Sequence, residues 1–158
     1  RARCATSALS SSHRPKALQD HHLRLGPRWQ ALRALHLGDG EALASCELPA
    51  GFDHDLADWH AHPALVDLAL HAGLPLVPLD VVRDDLFVPI SIAAIRFEQP
   101  IPARFLSHVR LTRAVRPDAE VISFDVTIAR EDGAVVMAVD DLVLRRLDDR
   151  ARAAFAAA

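Results

Sequence analysis

The stretch that decides the fold reads His62-Pro63-Ala64-Leu65-Val66-Asp67-Leu68-Ala69-Leu70-His71-Ala72-Gly73. Proline is tolerated in the first turn of a helix because its missing N–H would have no partner there, and glycine is typical of a helix end. Apolar side chains surround the segment on nearly all sides, and a helix that is apolar all round is buried. The stretch therefore predicts a long, buried central helix that carries one carboxylate, Asp67.

Around this helix the sequence predicts antiparallel strands. Apolar residues recur over 29–37 and 41–48, and the intervening Gly38-Asp39-Gly40 is typical of a hairpin turn. Later β-type runs cover residues 90–97, 105–115, 121–130 and 134–147, with Glu131-Asp132-Gly133 as a second tight turn. The third run alternates apolar and polar residues, which indicates one buried face. A helix wrapped by a curved antiparallel sheet is one α+β fold that fits this order.

Composition limits the class of protein. The 158 residues, 51% of them hydrophobic, suffice for one domain with a core. The formal charge of -3 is spread along the chain without a basic block, which argues against nucleic acid as a partner. Two cysteines, Cys4 and Cys46, are too few for a disulfide framework. No apolar run approaches the roughly 20 residues of a membrane span, and the opening lacks the hydrophobic stretch of a signal peptide. We therefore expect a cytoplasmic protein without membrane contact.

The boundaries of the domain follow from local composition. The opening is rich in Ser and Ala without sustained periodicity, which predicts a linker over residues 1–19. We place the domain over residues 20–150 and an alanine-rich tail over 151–158. The polar stretch 51–58 is interpreted as a flexible acidic loop. The chain begins at Arg1 without a methionine, which suggests a piece of a longer polypeptide or a trimmed one.

Several motifs resemble those of polyketide synthase dehydratase domains. The stretch from His62 to Asp67 resembles the His-Pro-Ala-Leu-Leu-Asp signature that opens the central helix of that family's second hotdog. His71 stands where the family has Gln or His. Further resemblances lie, in order, in Arg1-Ala2-Arg3-Cys4, Gly26-Pro27-Arg28-Trp29-Gln30, Phe87-Val88-Pro89-Ile90-Ser91 and the hairpin from Asp132 to Arg145. The chain is thereby identified as similar to the C-terminal hotdog half of a dehydratase.

The resemblance implies a reaction and its partners. It implies removal of water from a β-hydroxyacyl chain on the phosphopantetheine of an acyl carrier protein, giving an α,β-enoyl thioester. The half-domain itself would bind no metal and no nucleotide. Its partners would be the N-terminal hotdog, the carrier protein and a second copy within a homodimeric synthase. Asp67 and His71 would be the catalytic residues, and substrate would be bound by Leu25, Gly26, Pro27, Trp29, Pro89 and Ile90.

Chemistry explains why the implied acid would be a buried aspartate. Elimination needs a base for the α-proton and an acid for the leaving hydroxyl, since hydroxide leaves poorly. Full burial can raise a carboxyl pKa by ~3–5 units, whereas a helix N-terminus lowers it by less than about one unit. We therefore expect a raised pKa for Asp67. His71, one turn later on the same helix face, would orient the carboxyl by a hydrogen bond.

Two departures from the family keep other interpretations open. Leu25 replaces the family's tyrosine before Gly-Pro, and the chain has no tyrosine. The family's base, a histidine in a His-x-x-x-Gly-x-x-x-x-Pro motif of the first hotdog, has no counterpart among the nine histidines. The alternatives are a product-template or cyclase half, a catalytically silent structural hotdog, and a free-standing hotdog thioesterase.

A cluster of potential metal ligands precedes the helix. Its members are His54, Asp55, Asp58, His60 and His62. Their spacing matches no standard site, so we predict no metal there and interpret His62 as a structural residue at the helix entrance.

Overall fold

The computed structural model describes residues 4, 8–10, 25–78, 86–116 and 118–147. The strands are Ala8–Ser10 (β1), Leu32–Leu37 (β2), Glu41–Glu47 (β3), Phe87–Ser91 (β4), Ala94–Phe97 (β5), Arg104–Leu111 (β6), Val121–Ala129 (β7) and Val135–Arg146 (β8). The helices are Asp55–Asp58 (α1) and Pro63–His71 (α2), with 3-10 turns at Pro27–Trp29 and Leu74–Leu76.

All of these strands belong to one antiparallel sheet. Its order is β1-β2-β3-β6-β7-β8-β4, and β5 pairs with β8 beside β4. Strand β8 therefore pairs with two short strands in tandem. Between these pairings Asp141 has a φ of 46°, and its N–H donates to Oδ1 of Asp125 at 3.1 Å. The irregular backbone at this point accompanies a register shift against β7.

Helix α2 lies on the inner face of the sheet. Leu65 and Ala69 are fully buried, and the Ser107 hydroxyl on β6 donates to the carbonyl of Ala69 at 2.9 Å. Just after the helix, a Cβ at Gly73 would lie 2.6 Å from Cγ1 of Val109 and 2.8 Å from Cε1 of Phe124. The close approach of Val109 and Phe124 therefore requires glycine at this position. The backbone conformation does not, because a φ of −84° suits any residue. The predicted α+β hotdog fold, a helix wrapped by an antiparallel sheet, is confirmed.

The second predicted turn is present as expected. Gly133 has a φ of 93°, and the N–H of Arg130 donates to the carbonyl of Ala134 at 2.8 Å. Alternate residues of β7 point into the core, with Ile122, Phe124, Val126 and Ile128 all buried. The period-two pattern therefore identified the buried face of this strand.

Several predicted elements differ from the structure. The central helix is shorter than expected, with nine residues followed by a 3-10 turn. The predicted strand over 90–97 is two strands, and the acidic loop contains the short helix α1 with Asp55 buried. Within the predicted linker, Ala8–Ser10 pairs with β2, a three-residue strand too short for a periodic signal. The predicted domain start at residue 20 and the tail 151–158 lie outside the described residues.

Some apolar side chains lie on the surface, while both cysteines lie in the interior. The exposed ones on β4 and β5 are Ile90, Ile95 and Phe97. Cys4 and Cys46 are buried and form no disulfide among the described residues. Burial raises the pKa of Cys46 to about 12, opposed by the charge of Arg33. Among the described residues, none of the helices is both long and apolar enough to cross a membrane.

Candidate active site

Asp67 and His71 face each other across one turn of α2. Their spacing of four residues places both on one helix face. Nδ1 of His71 lies 3.2 Å from Oδ1 of Asp67 and 2.9 Å from the Asp67 backbone carbonyl. Because both oxygens can only accept, Nδ1 carries a proton and donates it toward them. The ring is thereby held against the carboxylate, as the spacing predicts.

Trp29 holds the other carboxylate oxygen. It ends the 3-10 turn Pro27–Trp29, in which its backbone N–H donates to the carbonyl of Gly26 at 3.1 Å. Its indole Nε1–H donates to Oδ2 of Asp67 at 2.8 Å. The sequence indicated Trp29 only as a pocket residue in place of phenylalanine. The signal that could have revealed this contact is the indole N–H, a donor that phenylalanine lacks.

The pKa of Asp67 is shifted in the direction opposite to the expected one. Burial raises it, but the hydrogen bond and charge of His71, together with the Trp29 N–H, outweigh burial and place the pKa below its ordinary value. The expectation failed because the Asp67 side chain remains 43% exposed and has two donors. For His71, burial lowers the pKa, and its bonds to Asp67 raise it above the ordinary value. The two shifts support each other, because each group favours the charged form of the other.

A second polar group lies beside this pair, centred on Asp55. Both oxygens of the buried Asp55 carboxylate accept from Arg28, with Nε to Oδ2 at 2.5 Å and Nη2 to Oδ1 at 3.1 Å. His62 Nε2 lies 3.1 Å from Oδ2, and His54 Nε2 lies 3.1 Å from Oδ1. Arg28 also stacks over the Phe52 ring at 4.3 Å. The sequence did not single out Arg28, because 27 residues separate it from its partner.

The remaining predicted substrate-binding residues lie on two segments. Leu25 and Gly26 precede the turn that carries Trp29, and Pro27 begins it; all three are exposed. Pro89 and Ile90 lie on the edge strand β4, and both are exposed. Of the predicted set, Trp29, Asp67 and His71 form one hydrogen-bonded group. A substrate-binding role for the others stays a prediction.

Metal-ligand types meet elsewhere in the described residues. Cys4, Glu41 and His108 present ligand atoms within 4.8 Å of one another. Glu41 and His108 already bind each other at 2.8 Å across neighbouring strands. In the cluster of potential ligands that precedes α2 in the sequence, Asp55 forms its ion pair with the guanidinium of Arg28. Neither group includes Asp67.

Comparison with solved structures shows a shared fold. The dehydratase domain from the CurJ module of the curacin polyketide synthase superposes with a TM-score of 0.79 at 20% identity, covering 96% of this chain and 52% of that one. A trans-AT polyketide synthase dehydratase domain from Brevibacillus brevis gives 0.77 at 23% identity, covering 93% and 51%. The chain thus spans about half the length of each of these domains.

Comparison by sequence gives the family. Polyketide synthases PksM and PksN of Bacillus subtilis (strain 168) are 24% and 26% identical to this chain over 149 and 147 residues, which are 92% of the chain and 4% and 3% of those proteins. Residues 1–154 match the family described as polyketide synthase dehydratase N-terminal domain. That description speaks of an N-terminal domain, whereas the motif at Asp67 predicts the C-terminal half. This chain belongs to the polyketide synthase dehydratase family.

Proposed function

We propose that the chain is the C-terminal hotdog of a polyketide synthase dehydratase domain and supplies Asp67 as the general acid. The substrate is a β-hydroxyacyl chain on the phosphopantetheine of an acyl carrier protein, and the product is an α,β-enoyl thioester. The observation that carries the proposal is the position of Asp67, on a helix seated in the sheet with a donor fixed at each carboxylate oxygen. The chain's coverage of about half of each solved dehydratase domain supports a half-domain.

The assignment to the C-terminal half rests on the signature at the helix entrance. His62-Pro63-Ala64-Leu65-Val66-Asp67 resembles the second hotdog's motif, and the pattern that carries the family's base is missing from the sequence. The base is therefore a histidine of an N-terminal hotdog. The exposed apolar side chains Ile90, Ile95 and Phe97 offer a surface for such a neighbour.

Asp67 must receive a proton before it can act as an acid. The lowered pKa of Asp67 and the raised pKa of His71 mean that a proton shared between the two groups resides on His71, as part of its imidazolium. Nδ1 of His71 lies 3.2 Å from Oδ1 of Asp67, so the proton can move between them without backbone movement. A companion hotdog and an acyl chain over Asp67 would exclude water. Loss of water disfavours two charges relative to a neutral pair and so favours a protonated Asp67.

The elimination then proceeds with balanced protons. The companion's histidine takes the α-proton, the electron pair forms the α,β double bond, and the β-hydroxyl leaves as water with the proton of Asp67. Trp29 holds Oδ2, which leaves Oδ1 as the oxygen that receives the proton from His71 and passes it on. The two donors fix the carboxyl plane and thereby orient the acid.

A catalytically silent hotdog is the second candidate, and one observation favours it. The pKa of Asp67 lies below its ordinary value, which disfavours proton donation from this half by itself. The Asp67→Asn variant in the intact double hotdog decides between the two. Asparagine preserves size but cannot donate an acidic proton, so dehydration, measured by the mass loss of one water, should fall by about 10²-fold or more while the variant stays folded. Unchanged dehydration would exclude Asp67 as the acid.

A further inference from the structure

We infer that Asp55 is a positioning residue for Asp67, because it ties the turn that carries Trp29 to the entrance of the helix that carries Asp67. The inference rests on the proposed function, in which Asp67 is the acid. Asp55 itself is one of the few buried charged residues among those described, and it lies on the short helix α1. Among the described residues, Asp55 makes no hydrogen bond to Asp67 or Trp29, so it acts through the side chains that it does bind.

The first connection runs through Arg28. The guanidinium meets Asp55 with two parallel N–H donors, an arrangement that fixes direction as well as distance. Phe52, one face of which covers the guanidinium at 4.3 Å, confines it further. Arg28 precedes Trp29 in the same 3-10 turn, so fixing its side chain fixes the turn from which the indole reaches Asp67.

The second connection runs through His62. This residue is 3% exposed, and its backbone carbonyl accepts from Leu65 and Val66, both at 3.0 Å, as the first acceptor of α2. Nε2 lies 3.1 Å from Oδ2 of Asp55 and must donate, since a carboxylate can only accept. Nδ1 has no partner among the described residues. Among the described residues, the hydrogen bond to Asp55 is therefore the polar contact that fixes the His62 ring.

Both connections require the charged form of Asp55. The hydrogen bond from Arg28, then that from His62, hold the pKa of Asp55 well below its ordinary value, while burial opposes them. An amide at this position would offer one acceptor oxygen and one NH2 group that faces another donor. In either orientation of the amide, Asp55→Asn loses one of the two Arg28 bonds, and with the nitrogen at the Oδ2 position it also loses the His62 bond. The variant should therefore loosen the alignment of Trp29 on Asp67.

The Trp29 indole N–H reports this alignment directly. The chain has two tryptophans, and Trp59 is 52% exposed, so hydrogen exchange of the two indole N–H groups provides a protected signal and an internal reference. In Asp55→Asn the Trp29 N–H should exchange at least about tenfold faster while that of Trp59 stays unchanged. In the intact double hotdog, kcat should fall on the order of 10- to 100-fold with little change in KM.

A matched control separates positioning from general destabilisation. Asp140 also accepts two hydrogen bonds from one arginine, Arg96, but lies on β8. Asp140→Asn should change neither the Trp29 exchange rate nor kcat. If Asp55→Asn does not fold, Arg28→Lys, which keeps the charge and loses the paired donors, takes its place.

Unchanged Trp29 exchange in a folded Asp55→Asn or Arg28→Lys variant would overturn the inference, whether or not kcat falls. The exchange measurement needs no turnover. It therefore still decides the role of Asp55 if retained dehydration in Asp67→Asn removes the proposed function.

Discussion

Replacing Gly73 by alanine adds a methyl group where the end of α2 meets the sheet. The new Cβ would lie 2.6 Å from Cγ1 of Val109 and 2.8 Å and 2.9 Å from two Phe124 ring carbons. Ordinary contact begins at 3.4 Å, so the shortest of these contacts must open by 0.8 Å, the difference between 3.4 and 2.6. Val109 and Phe124 are fully buried, which leaves them no solvent to move into. Either the sheet or the helix must therefore shift.

The size of the effect follows from this overpacking. Extra methyl groups in a well-packed core cost about 1–3 kcal/mol. The backbone adds no strain, since Gly73 has a φ of −84°. A loss of about 2 kcal/mol lowers the melting temperature by roughly 4–8 °C for a domain of this size. Because His71 lies only two residues earlier, the same shift should also reduce dehydration by the double hotdog.

Urea unfolding and thermal melts of the chain measure this loss. The matched control is Gly26→Ala, at which a Cβ would meet no heavy atom within 4 Å and φ is −72°. That variant should keep its free energy of unfolding or gain up to about 1 kcal/mol, since alanine restricts the unfolded chain. If Gly73→Ala proves as stable as the control, the close packing of α2 on β6 and β7 is refuted.

Further predictions concern the ion pair and the companion hotdog. His71→Gln should keep most dehydration because glutamine still donates to the carboxyl, whereas His71→Leu should lose much more; equal rates would reduce His71 to packing. By NMR titration, the pKa of His71 should fall in Asp67→Asn, because the raising charge is gone while burial remains; an unchanged value would contradict the ion pair. The Asp67–His71 pair stabilises the fold fully at pH values above 3.8, the ordinary pKa of Asp67, and below 6.5, the ordinary pKa of His71. The contribution of His71 is lost as the pH rises through its raised pKa. The stability difference between the native chain and Asp67→Asn should accordingly be larger at pH 5.5 than at pH 9, measured by urea unfolding. This chain alone should show no useful turnover, and co-expression with an N-terminal hotdog should restore it; full activity of the chain alone would place the base within it.

Local periodicity explains what could be predicted of the fold. The alternation along β7 and the apolar helix around Asp67 depend on neighbours two to four residues away, so the sequence displays them directly. The Asp67–His71 contact is of the same kind, being one helical turn long. The sequence also marks Gly73 as a helix end, and α2 does end just before it, at His71. The structure adds a second reason for glycine that no local pattern displays, the close packing against the sheet.

Contacts between distant segments could not be predicted in this way. Trp29 is 38 residues from Asp67, and Arg28 is 27 residues from Asp55. No local pattern encodes such a pair, since their meeting depends on how the turn before β2 packs beside the helix. The wrong sign for the pKa of Asp67 has this origin only in part. The main lowering group is His71 on the same helix, whose effect on the carboxyl pKa the expectation left out, and the smaller contribution comes from Trp29 on another segment.

The buried thiol of Cys46 has a practical consequence for anyone who labels this protein. Only the thiolate reacts with alkylating reagents, and a pKa of about 12 leaves on the order of 10⁻⁵ of the thiol ionised at pH 7. The sulfur also lies on β3, between β2 and β6, in a residue that is 3% exposed. Alkylation must therefore await an opening of the sheet. In a Cys4→Ala variant the rate of alkylation at Cys46 therefore measures how often the sheet opens. A lower rate in the presence of a companion hotdog or a bound acyl chain would show that either of them stabilises the closed sheet.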